Sequence, residues 1–232
     1  MTVLGVALDT EVVQGDDIPS LIDKAIREKN LGLSDGDVVA VTQKLVSKAE
    51  GRTAELDQHD FKAKLELIKE ESTRIVRRKG ELVIAETPHG FVCANAGIDA
   101  SNVERGVVTL LPKDPDRSAR RIQRYLSRSH DADIGVVITD TFGRAWRVGQ
   151  VNIAIGCAGI EPMTDHRGTV DRYGNELVAT LIATADELAS AAELVMGKTK
   201  MTPIAVIRGS GVKTGRGKAQ DLVRHHRDDL FR

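Results

Sequence analysis

The chain predicts a mixed α/β (α+β) fold, on three observations. Short apolar runs of strand length alternate with segments of helical period. Apolar residues make up 41% of the 232, enough for a buried core. No internal repeat, low-complexity stretch or membrane-length apolar run breaks the alternation.

The elements follow in order. Residues 17–29 place Ile18, Leu21, Ile22, Ala25 and Ile26 on one helical face, with Asp16 or Asp17 as cap and Pro19 in the first turn. Residues 37–42 read as a buried strand. Phe61, Leu65, Ile68, Ile75 and Val76 predict a second helix, closed by Gly80. Residues 82–85 and 107–111 read as strands, and 115–128 as a third helix. Strands follow at 134–139 and 151–158. The longest predicted helix is 176–196, with Leu177, Leu181, Ile182, Ala185, Leu188, Ala189, Ala192 and Val195 along one side and Gly197 as its stop. Residues 203–207 form a last strand before a glycine-rich tail. The pattern does not give the strand order. The length suits one unit over 1–232, with room for two subdomains.

Composition narrows the function. Lys and Arg total 33 against 34 Asp and Glu, a net charge of −1. That balance argues against a dedicated nucleic-acid or membrane-surface protein but leaves room for a local basic pocket. Cys93 and Cys157 lie far apart in apolar runs and read as buried reduced thiols. No zinc-type Cys/His cluster and no signal peptide appear, so the expected compartment is the cytoplasm.

Four stretches carry candidate chemistry. In the first, an apolar strand ends in Asp140 and Thr141, followed by Gly143 and by Arg144 and Arg147 around the lone Trp146. A carboxylate beside a hydroxyl suits magnesium with phosphate oxygens, and arginines balance phosphate charge. An Asp turn with surface salt bridges explains the same residues. The second is an acidic loop holding Asp99, Ser101 and Asn102, which reads as an Asx turn or as a partner for Asp140 in one metal site. The third places Lys44 and Lys48 just beyond a buried strand, as phosphate contacts or as a solvated helix face. The fourth is a row on one helical face: Arg117, Arg120, Arg121, Arg124 and Arg128. It reads as a solvated face, an anionic-substrate site or an RNA site, with only Tyr125 as a nearby aromatic. Residues 211–219 imitate a P-loop but lack its first glycine and the hydroxyl residue after Gly-Lys.

Taken together, these pieces resemble the coenzyme F-420 gamma-glutamyl ligase family over nearly the whole chain. The resemblance rests on Gly15-Asp16-Asp17, Thr42-Gln43-Lys44-Leu45-Val46-Ser47-Lys48-Ala49-Glu50-Gly51-Arg52, Asn95-Ala96-Gly97-Ile98-Asp99-Ala100-Ser101-Asn102-Val103 and Leu111-Pro112-Lys113-Asp114-Pro115-Asp116. It continues through Asp140-Thr141-Phe142-Gly143-Arg144-Ala145-Trp146-Arg147, Gly156-Cys157-Ala158-Gly159-Ile160, residues 186–197 and Ile207-Arg208-Gly209.

The resemblance implies an unusual mixed α/β fold in an intertwined homodimer. It also implies GTP and two divalent cations, magnesium or manganese, with potassium as a helping monovalent ion. The implied substrates are F-420-0 and L-glutamate, with a second glutamate added through a gamma link. By position, Asp99 and Asp140 would hold the first metal and Thr141 would touch the second. Asn102 would meet the nucleotide, and Lys44, or alternatively Lys48, its phosphates, with Thr42 and Gln43 beside them. Met196, Gly197, Lys198, Thr199, Lys200, Met201, Thr202 and Pro203 would wrap the nucleotide, with Asp9, Thr10, Glu11 and Val12 near it. Two departures stand out. Lys198 occupies the position where the family carries a Glu or Gln metal ligand, and residues 9–12 lack the family's Leu-Pro pair.

The expected reaction is phosphoryl transfer to a carboxylate, then attack of the glutamate amine on the acyl phosphate. Lys44, Arg144 and Arg147 are the expected charge-neutralising residues. His89 and His166 are the histidines considered as bases. The rivals are a ligase acting on another carboxylate and a phosphate- or RNA-binding module built on the arginine row.

Overall fold

The computed structural model describes residues 1–57 and 59–230. Its centre is a five-stranded sheet. The strands are β1 (Thr2–Val6), β2 (Val38–Thr42), β8 (Gly135–Arg144), β9 (Arg147–Ala158) and β12 (Ile204–Arg208), in the order β1-β12-β2-β8-β9. Only β2 and β8 run parallel, and the other neighbours are antiparallel.

Alternation along these strands divides the core in two. Val39 and Val41 of β2, with Val136 and Ile138 of β8, face Ile22 and Ile26 of α1 (Ile18–Glu28) and Ile122 and Leu126 of α4 (Pro115–His130). Val38, Ala40 and Val137 face the other way, onto α5 (Thr184–Met196). Both faces are covered, so these strands read in sequence as unbroken apolar runs. The α5 face is built from Ala185, Ala189 and Ala192 against Ala40 and Ala205, and small side chains let helix and sheet approach closely.

Smaller sheets flank this core. Strands β4 (Arg74–Lys79), β5 (Leu82–Glu86) and β6 (Val92–Ala94) form one, packed with α3 (Phe61–Glu70) around Ile68, Val83, Ala85 and Ala96. Strands β3 (Thr53–Glu55) and β7 (Val107–Thr109) form another, over Leu56, Val108 and Leu110. Helix α2 (Gln43–Ala49) follows β2 without a loop, and the short pair β10 (Thr164–Asp165) and β11 (Leu181–Ile182) precedes α5.

Three sequence expectations are corrected. The second helix ends at Glu70, and Ile75 and Val76 belong to β4. Their spacing fits a helix, but β4 is a charged edge strand paired with β5, and Gly80, at φ +60°, turns that hairpin. The long helix begins at Thr184, because Leu181 and Ile182 pair with β10. The strand expected at 107–111 stops at Thr109. Asp17 occupies the α1 cap position but makes no side-chain capping bond. Both cysteines are buried and free, and burial drives both thiol pKa values upward, Cys93 to about 12. Among the described residues, no helix is long and apolar enough to cross a membrane.

Asp116 fastens the carboxyl-terminal tail to this frame. Its buried carboxylate, in the first turn of α4, accepts the backbone N–H groups of Cys157 (2.8 Å), Ala219 (2.9 Å) and Gln220 (3.4 Å). Removing it strands several buried donors. Asp116→Ala is expected to cost about 2–4 kcal/mol. The lowered urea midpoint at unchanged slope measures the loss.

Candidate functional site

The parallel pair β2 and β8 sets the floor of a cleft of about 520 Å³. Thr42 at the end of β2 lies in register with Thr139 of β8. The polar residues that interrupt the apolar run of β8, Thr139, Asp140 and Thr141, line the cleft in succession. One wall is α2, whose Lys44 and Lys48 sit four apart on the same face. Another is α5 with the loop 197–203, where Gly197 at φ +61° lets the chain leave the helix and turn across the cleft. Residues 9–12 close the remaining side, held by a hydrogen bond from Leu8 N to Met201 O.

Asp99 arrives from a separate loop. Asn95, Ala96 and Gly97 precede it with φ of +52°, +54° and +76°, a left-handed run costing about 1–2 kcal/mol per non-glycine residue. A Cβ on Gly97 would lie 2.6 Å from Leu111, so close packing also excludes a side chain there. The loop is secured by paired backbone hydrogen bonds between Asp99 and Thr109 and by Asn95 Oδ1 accepting from Val83 N. Asn102, also left-handed at φ +56°, donates its Nδ2 to Lys198 O at 3.2 Å and so joins the Asp99 loop to the 197–203 loop.

Charges alternate across the cleft. Lys44 Nζ lies 2.7 Å from Asp99 Oδ2 and also donates to the Ser101 hydroxyl. Lys48 pairs with Glu11 at 3.1 Å. Lys198 donates to the Thr141 hydroxyl, which in turn donates to Asn152 Oδ1 at 2.7 Å. Burial alone would raise the Asp99 pKa, but the Lys44 contact and the Ser101 N–H outweigh it and hold the carboxyl below its ordinary range. Asp140 moves the opposite way. Shielding from water pushes its pKa up to about 7, with the Asp99 charge adding to the rise.

The structure brings most of the sequence-selected residues together and leaves some apart. Asp9, Thr10, Glu11, Val12, Thr42, Gln43, Lys44, Lys48, Asp99, Asn102, Asp140, Thr141, Gly197, Lys198, Thr199, Met201, Thr202 and Pro203 all line the cleft. Met196 does not. It is fully buried in the α5 core, where the helix periodicity points it. Lys200 is exposed and folds back over Gly197. Arg144 and Arg147 lie outside the cleft, exposed at the turn of the β8–β9 hairpin, with Arg144 donating to Val148 O. Strand β8 runs on past the cleft floor and carries them away. His89 stacks on Phe91 and contacts Lys113 O, and neither it nor His166 lines the cleft. The arginine row forms a separate groove beside α1, with Arg121 paired to Asp17.

Sequence reading missed Asn152, Glu193 and Thr139 as cleft residues. Asn152 had a signal, as the one polar side chain inside the apolar run 151–158. Glu193 had none, because on α5 it looks like any outward-facing acid.

The donor set fits a hard divalent cation. Two carboxylates and a hydroxyl supply oxygen ligands and leave further positions for phosphate oxygens and water. Among the described residues there is no group of three or more His, Cys, Asp or Glu that would form an all-protein cage. The Gln43 amide nitrogen is buried behind the cleft wall with no hydrogen-bond partner among the described residues.

Residues 8–209 match the family model described as F420-0:gamma-glutamyl ligase. The chain is 41% identical to the coenzyme F420:L-glutamate ligase of Methanothermobacter thermautotrophicus, over 100% of this chain and 99% of that protein. It is 42% identical to the protein of the same name from Methanopyrus kandleri, covering 98% and 96%, and 40% identical to that of Methanocaldococcus jannaschii, covering 86% of each.

The raised Asp140 pKa makes metal-free stability depend on pH. Folded Asp140 holds its proton to about pH 7, whereas the unfolded carboxyl releases it near the ordinary aspartate value of 3.8. The group therefore costs most stability above pH 7, and the cost shrinks as pH falls through that window. With chelator present, Asp140→Asn is expected to melt above wild type at pH 8, and the gap should narrow by pH 5. Paired thermal melts at the two pH values measure it.

Proposed function

The chain belongs to the F420-0:gamma-glutamyl ligase family, and from that premise we propose that it joins L-glutamate to coenzyme F420-0, with GTP as phosphoryl donor. The observation carrying this reading is the cleft itself, where Asp99, Asp140 and the Thr141 hydroxyl face Lys44, Lys48 and Lys198. That mixture of hard oxygen ligands and ammonium groups suits a metal-bound polyphosphate.

A carboxylate is a poor acyl donor, because an oxide is too basic to leave. Transfer of the γ-phosphoryl group gives an acyl phosphate, and phosphate is a competent leaving group. The glutamate amine, having given up its ammonium proton, attacks the acyl carbon, the amide bond forms, phosphate departs, and the displaced protons pass to phosphate and solvent. Transfer of this kind depends on positioning and charge neutralisation. A divalent ion on Asp99 and Asp140 would supply charge neutralisation at the phosphates. Lys44, fixed by Asp99 and Ser101, and Lys48, fixed by Glu11, would hold the phosphate oxygens as point charges. Residues 197–203 and 9–12 would enclose the nucleotide, and Asn102, tied to Lys198 O, would join that enclosure to the metal loop.

Lys198 stands where a second metal would otherwise take a side-chain ligand. Its ammonium, donated to Thr141, brings fixed positive charge to that position and supports the nucleotide phosphates. A second divalent ion would use Thr141, water and backbone oxygen, with potassium as the helping monovalent ion. A second, gamma-linked glutamate and an intertwined homodimer complete the proposal. The dimer would give the β8–β9 hairpin, with Arg144, Arg147 and the 79%-exposed Trp146, a neighbour to meet.

Incubation with F420-0, glutamate, magnesium or manganese, and either GTP or ATP tests the reading, with product mass as readout. Glutamate addition with GTP is expected, and a mass unchanged under every combination would overturn it. Asp140→Asn and Asp99→Asn should each abolish turnover. Lys198→Ala should raise the KM for GTP about tenfold or more, the loss of one charge-assisted contact, with a smaller change in metal dependence. Light scattering should return twice the mass of one chain.

A further inference from the structure

The cleft holds an acid that this reaction scheme leaves without a task. Glu193 lies on α5 near its carboxyl-terminal end, half-buried in the cleft wall. Its Oε2 accepts the Asn152 Nδ2 amide at 3.0 Å. Asn152 is itself fixed, since its Oδ1 takes the Thr141 hydroxyl and its backbone carbonyl takes the Ser190 hydroxyl at 2.8 Å. One oxygen of Glu193 is therefore anchored on a buried amide, and the carboxylate is oriented before anything binds.

The other cleft carboxylates are differently occupied. Asp99 has Lys44, and Glu11 has Lys48. Asp140 lies on the opposite face of β8 from Asn152 and is assigned to the metal with Asp99. Asp9 is exposed to solvent on the rim. Among the described residues that line the cleft, Glu193 is the partly buried carboxylate with neither a cationic partner nor a metal-ligand role.

Alternation along β8 sets it apart from the Asp99–Asp140 pair. Thr139 and Thr141 share the face of the strand that carries Asn152, while Asp140 points to the opposite face, toward Asp99. The cleft thus has one face where Asp140 looks toward Asp99, and another where Glu193, Asn152 and the Thr139 and Thr141 hydroxyls gather, with Lys198 reaching Thr141 at its edge.

We propose that Glu193 is the subsite for the ammonium group of the incoming amino acid. The inference rests on the ligase reading and deepens it. An amino acid arrives with its α-nitrogen protonated, and a cleft furnished with three lysines repels that charge unless a carboxylate receives it. A carboxylate fixed on one oxygen, in partial shelter from water, binds a primary ammonium through charge-assisted hydrogen bonds. Asn152 is the positioning residue behind it.

The test compares wild type with Glu193→Gln, which keeps an oxygen for Asn152 and removes only the charge. The KM for glutamate is expected to rise about ten- to a hundredfold, the value of one charged hydrogen bond. The KM for GTP and the metal dependence should stay unchanged. Inhibition by 2-hydroxyglutarate, which carries a hydroxyl in place of the ammonium, gives a second readout. Wild type should bind it far more weakly than glutamate, and Glu193→Gln should bind the two alike. An unchanged KM for glutamate would overturn the proposal. So would a shift confined to metal dependence, which would make Glu193 a metal ligand. Failure of wild type itself to form product would instead remove the ligase reading, so the two failures are told apart.

Discussion

Everything at the cleft depends on the parallel pairing of β2 with β8, five residues in register from Val38 with Gly135 to Thr42 with Thr139. The two strands are buried on both faces, so their apolar residues cannot be exchanged for polar ones without unpaired groups in the core. Polarity appears only where the strands leave the sandwich of helices. That is why Thr42, Thr139, Asp140 and Thr141 collect at one edge, and why α2, starting at the next residue, delivers Lys44 to the same place. A parallel pair aligns its ends, and open sheets take ligands at such ends.

The electrostatics follow from that placement. Asp140 is placed where water is scarce and a second carboxylate is near, a combination that favours the protonated form until a cation arrives. Asp99 escapes the same fate because Lys44 is beside it. Lys44 holds Asp99 as an anion, while burial raises the pKa of Asp140 to about 7. This arrangement gains little as a structural element, since buried charge is costly to maintain, and it makes sense as a receptor for charged ligands.

Loops rather than the sheet complete the site, and each is tied down. The left-handed run Asn95–Gly97 is strained backbone held by the small core of Ile68, Val83, Ala85 and Ala96. Gly197 lets the chain turn from α5 across the cleft, and Asn102 then clasps Lys198 O. The smaller sheets therefore serve the site indirectly, by fixing the geometry of the loop that presents Asp99.

The sequence by itself determined the mixed α/β class, four of the five central strands (β1 had no reading), α1 and α4, and the family membership that the similarity to known ligases then established. Strong apolar runs and wide helical stripes are local signals, and local signals are readable. It misjudged residues 71–79 and 176–183, because Ile75, Val76, Leu181 and Ile182 satisfy helical spacing equally well. Strand pairing decided them, with the adjacent β5 for Ile75 and with β10 for Leu181 and Ile182. Asp99 and Asp140 were legible as candidates, since polar residues ending apolar runs stand out. Only the tertiary structure decided that they share a cleft, that Met196, Arg144 and Arg147 lie outside it, and that Glu193 lies within. The sequence fixes which face of its own element a side chain occupies. What that face meets is set by packing between elements far apart in the chain, and no local pattern records it.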